Sequence, residues 1–489
     1  MPADPDRYRE LAALPLPGGY PGPDAEQRLR EELYFQRAVQ VYLWALPAMN
    51  MWAMKQGLEA VAGRGYNVMS VYEKRLQPNT LITTPNSDVI YALGFADLAR
   101  TGPLVIEAPP MLQALLDDFW HRPLTGPLIE GRRYLGDIGL PGPDHGEGGS
   151  YLIVPQDYDG DIDTGKYFVY TSPTNGVFIF ARGFFTSVDD LSPGVSAVEG
   201  ITVRPLDQPA EPMVFQHVSD VPANALFAAD GSYFDALHAF IQAERIDQTD
   251  PYMHGMLAAL GIRKDTPFAP SAREHELLDQ AAKTAWRMAK TTAATFDRQD
   301  RALWWPDRHW VAHVKTEPDD FMRTLLDEQW RDRTTGHTDV DAKAHMFVNA
   351  YSISTGMMSS IVGMGAKYGA AYKDSDGDYL RGENTYEITL PPHPPAKLFW
   401  SITLYDAETA AGLDAPGQQY PSLNGMNDID LNPDESITLH IGPNPPAGAR
   451  NWLTTVPGRG WFSLFRFYGP TQEFFDRAYK PGDFIKNTN

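Results

Sequence analysis

No cysteine occurs among the 489 residues. Disulfides, thiolate nucleophiles, cysteine-ligated zinc and iron–sulfur clusters are therefore excluded outright. Long apolar runs are missing as well. The uncharged apolar run from Ala38 to Met54 is interrupted by Gln40, Pro47 and Asn50 and falls short of the roughly 20 apolar residues a bilayer requires. Positive charge is scarce: 41 Lys and Arg face 63 Asp and Glu, a net charge of −22. That balance argues against nucleic acid or an anionic membrane surface as a partner. The N-terminus shows no basic segment followed by an apolar core, so no signal peptide is visible and the cytoplasm is the expected compartment. Nucleotide and serine-hydrolase signatures are absent too: no G-x-S-x-G elbow, no phosphate loop, no dinucleotide fingerprint after a strand. Gly363-Met364-Gly365 lacks the third glycine at the required step.

What is present reads as a globular chain of two or three domains, given its length. Residues 1–24 are rich in Pro and Gly and are expected to form an extended arm. From Ala25 to Leu58, Leu29, Leu33, Val39, Leu43, Leu46 and Met49 recur at helical steps, with Pro47 expected to kink or break the helix. Short β segments follow at Val89–Phe95, Leu104–Glu107, Tyr151–Val154, Tyr167–Thr171 and Val177–Arg182. Thr174-Asn175-Gly176 between the last two is a hairpin signal. These segments define a first β domain with its opening helix, residues 25–221.

Residues 222–371 change to helical composition. Leu277/Leu278, Ala281/Ala282, Ala285 and Met288/Ala289 share one helix face; Phe321, Leu325 and Trp330 mark another helix, and Met346 to Ile361 a third. This section is expected to separate two β regions and cover a cavity between them, its Met residues adapting to a ligand or simply packing in the core.

Residues 372–489 are again β-rich. Apolar runs at Tyr386–Leu390, Leu398–Tyr405, Ile437–Ile441 and Trp461–Tyr468 are separated by Gly/Pro/Asn/Asp clusters, the pattern of an antiparallel sandwich. In the strand from Phe399 to Tyr405, Trp400, Ile402 and Leu404 make one apolar face. Phe399, Ser401, Thr403 and Tyr405 make a semi-polar one. The fold class is α+β, mainly β: two β-sandwich, jelly-roll-like domains, an N-terminal helix, and a helical section between them.

Specific motifs run through the last domain: D-x-D-G-x-x-L-x-G-x-x-x-Y from Asp374, P-A-K-x-F-W-S-x-T-x-Y-D from Pro395, G-P-x-x-P-x-G-x-x-N-W from Gly442 and F-R-x-Y-G-P from Phe465. In this the chain resembles the family that joins the domains of unknown function numbered 1254 (N-terminal) and 1214 (C-terminal). Thr84-Pro85-Asn86-Ser87-Asp88 with Tyr91, and Tyr42-Leu43-Trp44-Ala45-Leu46-Pro47, are similar to the N-terminal member's leading motif and opening helix. Pro155-Gln156 stands where that family usually reads Gly-Pro. The resemblance implies the fold and no settled chemistry. Many of the family's members are exported, which leaves open a trimmed N-terminus.

Metal-ligand spacings are incomplete. His309 and His313 have i,i+4 spacing without the Glu of H-E-x-x-H or a third ligand, and His275 has Asp279 where a second His belongs. Asp374, Asp376 and Asp378, like Asp157, Asp159, Asp161 and Asp163, alternate as in a calcium loop but lack the closing bidentate acid. No transition metal and no other cofactor is expected; calcium remains a candidate at either acidic turn, with plain turn chemistry as the alternative.

The matched motifs concentrate polar and aromatic residues at Asn86, Asp88, Tyr91, Trp400, Tyr405, Asn451, Trp452, Arg466 and Tyr468. The first reading is a hydrolase or lyase for a small, largely apolar, uncharged compound. Asp88 would be its general base, with Tyr91 and Arg466 stabilising negative charge, and Asn86, Trp400, Tyr405 and Tyr468 contacting substrate. The second is a non-catalytic binding protein for a hydrophobic or carbohydrate-like ligand, with Trp400 and Tyr405 as stacking platforms. The third is a structural subunit of a homo-oligomer. In the blander alternative Asn86 and Asp88 bond their own turn, Arg466 pairs with Asp88 or Asp406, and the aromatics are core. Arg182 is either structural or faces the cavity.

Overall fold

The computed structural model describes residues 5–246, 250–298, 302–312, 337–358 and 361–487. It forms two compact units, Met1–Met49 with Ala228–Ala289, and Asn50–Phe227 with Lys290–Asn489. The fold is α+β and mainly β, as the alternating apolar patterns predict. No helix among the described residues is long and apolar enough to cross a membrane.

The first unit is helical. Residues 1–24, expected as an extended arm, include the helix Pro5–Ala12. The periodic stretch after it is two helices, Pro23–Trp44 and Leu46–Ala62, of which the second belongs to the second unit from Asn50 onward. The break falls at Ala45, because Pro47 has no N–H to give and fits only the first turn of a new helix. Tyr42 stacks on Tyr233 of the helix Ser232–Ala243 with ring centroids 3.8 Å apart. In the helix Ala272–Ala294, Leu278, Ala281, Ala282, Ala285 and Ala289 are buried as predicted, whereas Met288 is exposed.

The second unit holds both β domains. Among the described residues, the first has two six-stranded sheets. One orders Val214–His217, Val68–Val71, Ile90–Asp97, Gly176–Gly183, Gln113–Asp118 and Asp137–Gly139. The other orders Thr202–Pro205, Leu104–Ala108, Gly149–Pro155, Phe168–Ser172, Thr125–Ile129 and Arg132–Leu135. Ile90, Ala92, Ile179 and Ala181 meet Leu104, Ile106, Tyr151 and Ile153 in the core between them. The second domain pairs a sheet of Trp310–Ala312, Ala366–Ala371, Trp461–Pro470, Ala396–Asp406 and Ser422–Asn424 with one of Trp452–Thr454, Ile437–Gly442, Tyr386–Leu390 and Ile485–Lys486. Ile402, Leu404, Phe465 and Phe467 pack there against Tyr386, Ile388, Leu439 and Ile441.

Four strand pairings among the described residues depart from a purely antiparallel arrangement: Val68–Val71 with Val214–His217, Gly149–Pro155 with Phe168–Ser172, Ile437–Gly442 with Trp452–Thr454, and Thr80–Leu81 with Ala223–Asn224 all run parallel. The Asn175-Gly176 turn does not close a hairpin either, since its flanking strands lie in different sheets. Side chains hold that corner: Ser172 Oγ donates to Thr174 O (2.9 Å) and Thr174 Oγ1 to Gly176 O (2.7 Å). Local turn chemistry marks the bend but says nothing about which sheet receives the next strand.

The section expected to be helical from 222 to 371 includes Ala366–Ala371, a strand of the C-terminal sheet. The predicted helix from Met346 to Ile361 is instead Val340–Asn349, an irregular strap, and the single turn Thr355–Met358. The predicted helix at Phe321, Leu325 and Trp330 lies outside the described residues. The strap is fastened to the first domain by buried polar groups. Ser352 Oγ and Ile353 N donate to Asp117 Oδ2 at 2.8 and 3.2 Å, and Ser352 N donates to His121 Nδ1 at 3.0 Å. With Nδ1 accepting, the ring proton sits on Nε2, 3.2 Å from Asn50 Oδ1. Asn50 Nδ2 in turn donates to Phe347 O and Ala350 O. Gly365 (φ +64°) packs on the carbonyl of Gly356 so closely that a Cβ would sit 1.8 Å from that oxygen. Lys367 Nζ caps the same turn through Gly356 O (2.9 Å) and Met357 O (3.1 Å), and burial pushes its amine down to about 7.

Two of these buried groups give opposite pH dependences. Burial lowers His121 to about 3, so below pH 6.5 the unfolded chain takes the proton first. The stability present above pH 6.5 is lost as the pH falls toward 3. Asp117 is raised well above its ordinary value by burial, and its contribution falls as the pH rises past the ordinary carboxylate range. His121→Asn keeps an acceptor for Ser352 N and removes the titration. Urea unfolding between pH 6.5 and 4 is expected to fall less steeply in the variant than in the parent, by up to about 1.4 kcal/mol per pH unit; parallel curves would refute the assignment.

Candidate functional site

The strand Gly176–Gly183 is buried on both faces. Val177, Ile179 and Ala181 enter the sandwich core; the alternate residues Phe178, Phe180 and Arg182 stand on the opposite face. Arg182 pairs in register with Tyr91 of the neighbouring strand, so both point the same way. In the C-terminal sheet the register aligns Tyr368, Arg466 and Ser401, and beside them Ala366, Tyr468 and Phe399. That semi-polar face turns away from the Trp400–Phe465–Phe467 core.

The two faces and the strap enclose a cavity of about 40 Å³. Thr84, Asn86, Tyr91, Phe180 and Arg182 line it from the first domain. Tyr368, Leu464, Arg466 and Tyr468 line it from the second, and Met346, Ala350, Tyr351 and Met357 cover it from the strap side. Larger depressions elsewhere carry ion pairs in their walls, as Arg7 with Glu32 and Arg273 with Glu31, or Lys55 and Arg64 with Glu59.

Arg182 and Arg466 dominate the cavity's electrostatics. Both are buried, and no carboxylate is among the lining residues. The Arg182 guanidinium lies 4.5 Å from the Phe180 ring centroid and 6.0 Å from that of Tyr91; its Nε has no hydrogen-bond partner. Arg466 is tethered instead: Nη1 donates to Thr403 Oγ1 (3.0 Å), Nη2 to Thr84 O (3.2 Å) and Pro85 O (3.4 Å). Thr84 has φ +36°, a strained value for a β-branched residue preceding proline. Arg466 and Tyr405, whose hydroxyl donates to Pro85 O at 2.6 Å, hold that turn in place. Burial raises the phenols of Tyr91, Tyr351 and Tyr468 above their ordinary value, against the pull of the neighbouring arginines. They remain neutral hydrogen-bond donors near pH 7.

Of the residues expected at a site, the fold brings Asn86, Tyr91, Arg466 and Tyr468 together. Asn86 Nδ2 donates to the Tyr468 hydroxyl, and Asn86 Oδ1 accepts from Asp88 N (2.8 Å), an Asx-turn. Asp88 is a correction. Its carboxylate is buried but turned away from the cavity: Ser422 Oγ donates across both oxygens (3.1 and 3.0 Å) and Asn424 Nδ2 to Oδ1 (2.8 Å). A base with both oxygens so occupied, outside the cavity wall, does not suit proton abstraction there.

Trp400 is core, edge-on to Phe465 at 6.1 Å, because strand alternation puts it opposite Phe399. Tyr405 supports the turn rather than a ligand, and burial lifts it to about 12. Asn451 and Trp452 tie strand ends through Thr438 O and Gly442 O. Asp406 pairs with Arg459 at 2.7 Å, not with Arg466. At the first acidic turn Asp374 Oδ1 accepts from the amides of Asp376 and Asp378. Among the described residues no His/Asp/Glu group is arranged to hold a metal; His313 lies outside them. Tyr351 and Tyr368 were not marked by any motif, since their roles depend on contacts across domains.

A family model described as a protein of unknown function (DUF1254) matches residues 66–205, and one described as a protein of unknown function (DUF1214) matches residues 365–472. No curated protein matches. The crystal structure of the VPA0106 protein from Vibrio parahaemolyticus is similar over 93% of this chain and 100% of that one, at 14% identity and a TM-score of 0.54. A putative uncharacterized protein from Burkholderia cenocepacia aligns over 94% of this chain and 96% of its own, at 12% identity and a TM-score of 0.39.

The placement of Trp400 is directly testable. Trp400→Ala is expected to cost about 3–5 kcal/mol of stability as a core truncation, read by chemical denaturation. A loss below about 1 kcal/mol would instead indicate a ligand-facing ring.

Proposed function

We propose, for a chain that belongs to the family joining a DUF1254 domain to a DUF1214 domain, that the cavity between its two sandwiches binds a small organic anion. The reading is carried by one observation: two buried guanidiniums line a cavity whose described wall holds no carboxylate. Leaving such charges buried and unpaired costs on the order of several kcal/mol, and a bound anion offsets that cost. The neutral phenols of Tyr91 and Tyr468 add donors, so the wall is rich in hydrogen-bond donors and poor in charged acceptors.

The uncharged ligand expected from the matched motifs fits this wall less well than an anion does. The hydrolase or lyase reading keeps Tyr91 and Arg466 as donors toward developing negative charge. It has no base in hand once Asp88 is committed to Ser422 and Asn424. Binding is therefore the favoured role.

Native mass spectrometry of protein purified without stripping tests this. The expected result is a retained small acid, released on denaturation and absent from Arg182→Gln. Retention of a neutral compound, or of an acid unaffected by Arg182→Gln, would count against the proposal.

A further inference from the structure

The two arginines are not equivalent, and their difference narrows the ligand. Arg466 has its terminal nitrogens engaged with Thr403, Thr84 and Pro85; it contributes charge but little free donor geometry. Arg182 keeps Nε unpartnered, and its Nη2 has only the Met357 sulfur nearby, at 3.9 Å. An Nε–Nη edge that is buried with no oxygen acceptor is the fork that receives a planar carboxylate through two parallel hydrogen bonds.

The local charge count limits the ligand further. Arg182 and Arg466 supply two positive charges. Asp88 accepts from Ser422 and Asn424 and acts electrostatically on Tyr405 and Tyr468, the rings that also flank Arg466. It supplies one negative charge. The sum is neutralised by a monoanion, whereas a dianion leaves a buried excess of negative charge.

Size and polarity complete the argument. A buried water needs roughly 10–15 Å³ of such space, so about 40 Å³ admits a headgroup and a short tail but not a sugar phosphate. Phe180, Met346, Ala350, Met357 and Leu464 provide an apolar wall for that tail, and methionines adapt to its shape.

We infer that the cavity takes a short-chain aliphatic monocarboxylate, its carboxylate seated on the Arg182 fork and its chain against the methionine-bearing strap. This rests on the anion-binding reading above and specifies its ligand class.

The test is isothermal titration calorimetry of the full chain at fixed ionic strength, with sodium butyrate, sodium succinate, sodium phosphate and butyramide as probes. Butyrate is expected to bind at least about tenfold more tightly than succinate or phosphate, and butyramide not detectably. Arg182→Lys, which keeps the charge and loses the fork, is expected to weaken butyrate at least about tenfold. Succinate or phosphate binding as tightly as butyrate would overturn the monocarboxylate assignment while leaving an anion site standing. Butyramide equalling butyrate, or no anion binding at all, would overturn both. Unchanged butyrate affinity in a folded Arg182→Lys would remove the fork from the proposal. Should that variant not fold, the probe panel on the parent protein still decides the ligand class.

Discussion

The interior between the two sandwiches is organised by positive charge that the protein itself leaves only partly compensated. Arg182 and Arg466 sit where water is nearly excluded, and a guanidinium cannot shed its proton to relieve the cost. Most surrounding features follow from that. Carbonyls of the Thr84–Pro85 turn and the Thr403 hydroxyl solvate Arg466. Aromatic faces of Phe180 and Tyr91 lie against Arg182. Asp88 provides a nearby counter-charge without touching the cavity. What is left over is one edge of Arg182.

The strap that covers this space is held by polar contacts rather than by regular structure. Helical periodicity through Met346–Ile361 is strong, yet the chain leaves the helix at Ala350 and places Ser352 at φ +63°. The reason is tertiary: Ser352 and Ile353 donate to Oδ2 of the buried Asp117, and Ser352 N donates to His121. An unbroken helix would leave those groups unpaired, at a cost exceeding that of the lost helical hydrogen bonds. The same bend brings Tyr351 and Met357 to the cavity.

Strand alternation explains both the successes and the errors of motif reading. In Phe399–Tyr405 the period of two correctly separates an apolar face from a semi-polar one. It does not say which face meets a ligand. Trp400, conspicuous in sequence, belongs to the core, and Arg466, Tyr468 and Tyr368 share the other side through cross-strand register. Asp88 misleads for a related reason. Its place beside the Thr-Pro-Asn turn and Tyr91 is local, but the direction of its carboxylate is set by Ser422 and Asn424, more than 300 residues away in sequence.

By itself, the amino-acid order determined the mainly β class, the break near Pro47 and the turn at Thr84–Asp88. These depend on short-range periodicity, backbone restriction at proline, and motifs that are contiguous. Only the tertiary structure decided that Asp88 faces away, that Trp400 is core, that the Asn175-Gly176 turn joins different sheets and that Arg182 Nε is buried without a hydrogen-bond partner. Each of those is a matter of which distant groups satisfy a buried polar atom, and no local pattern carries that information.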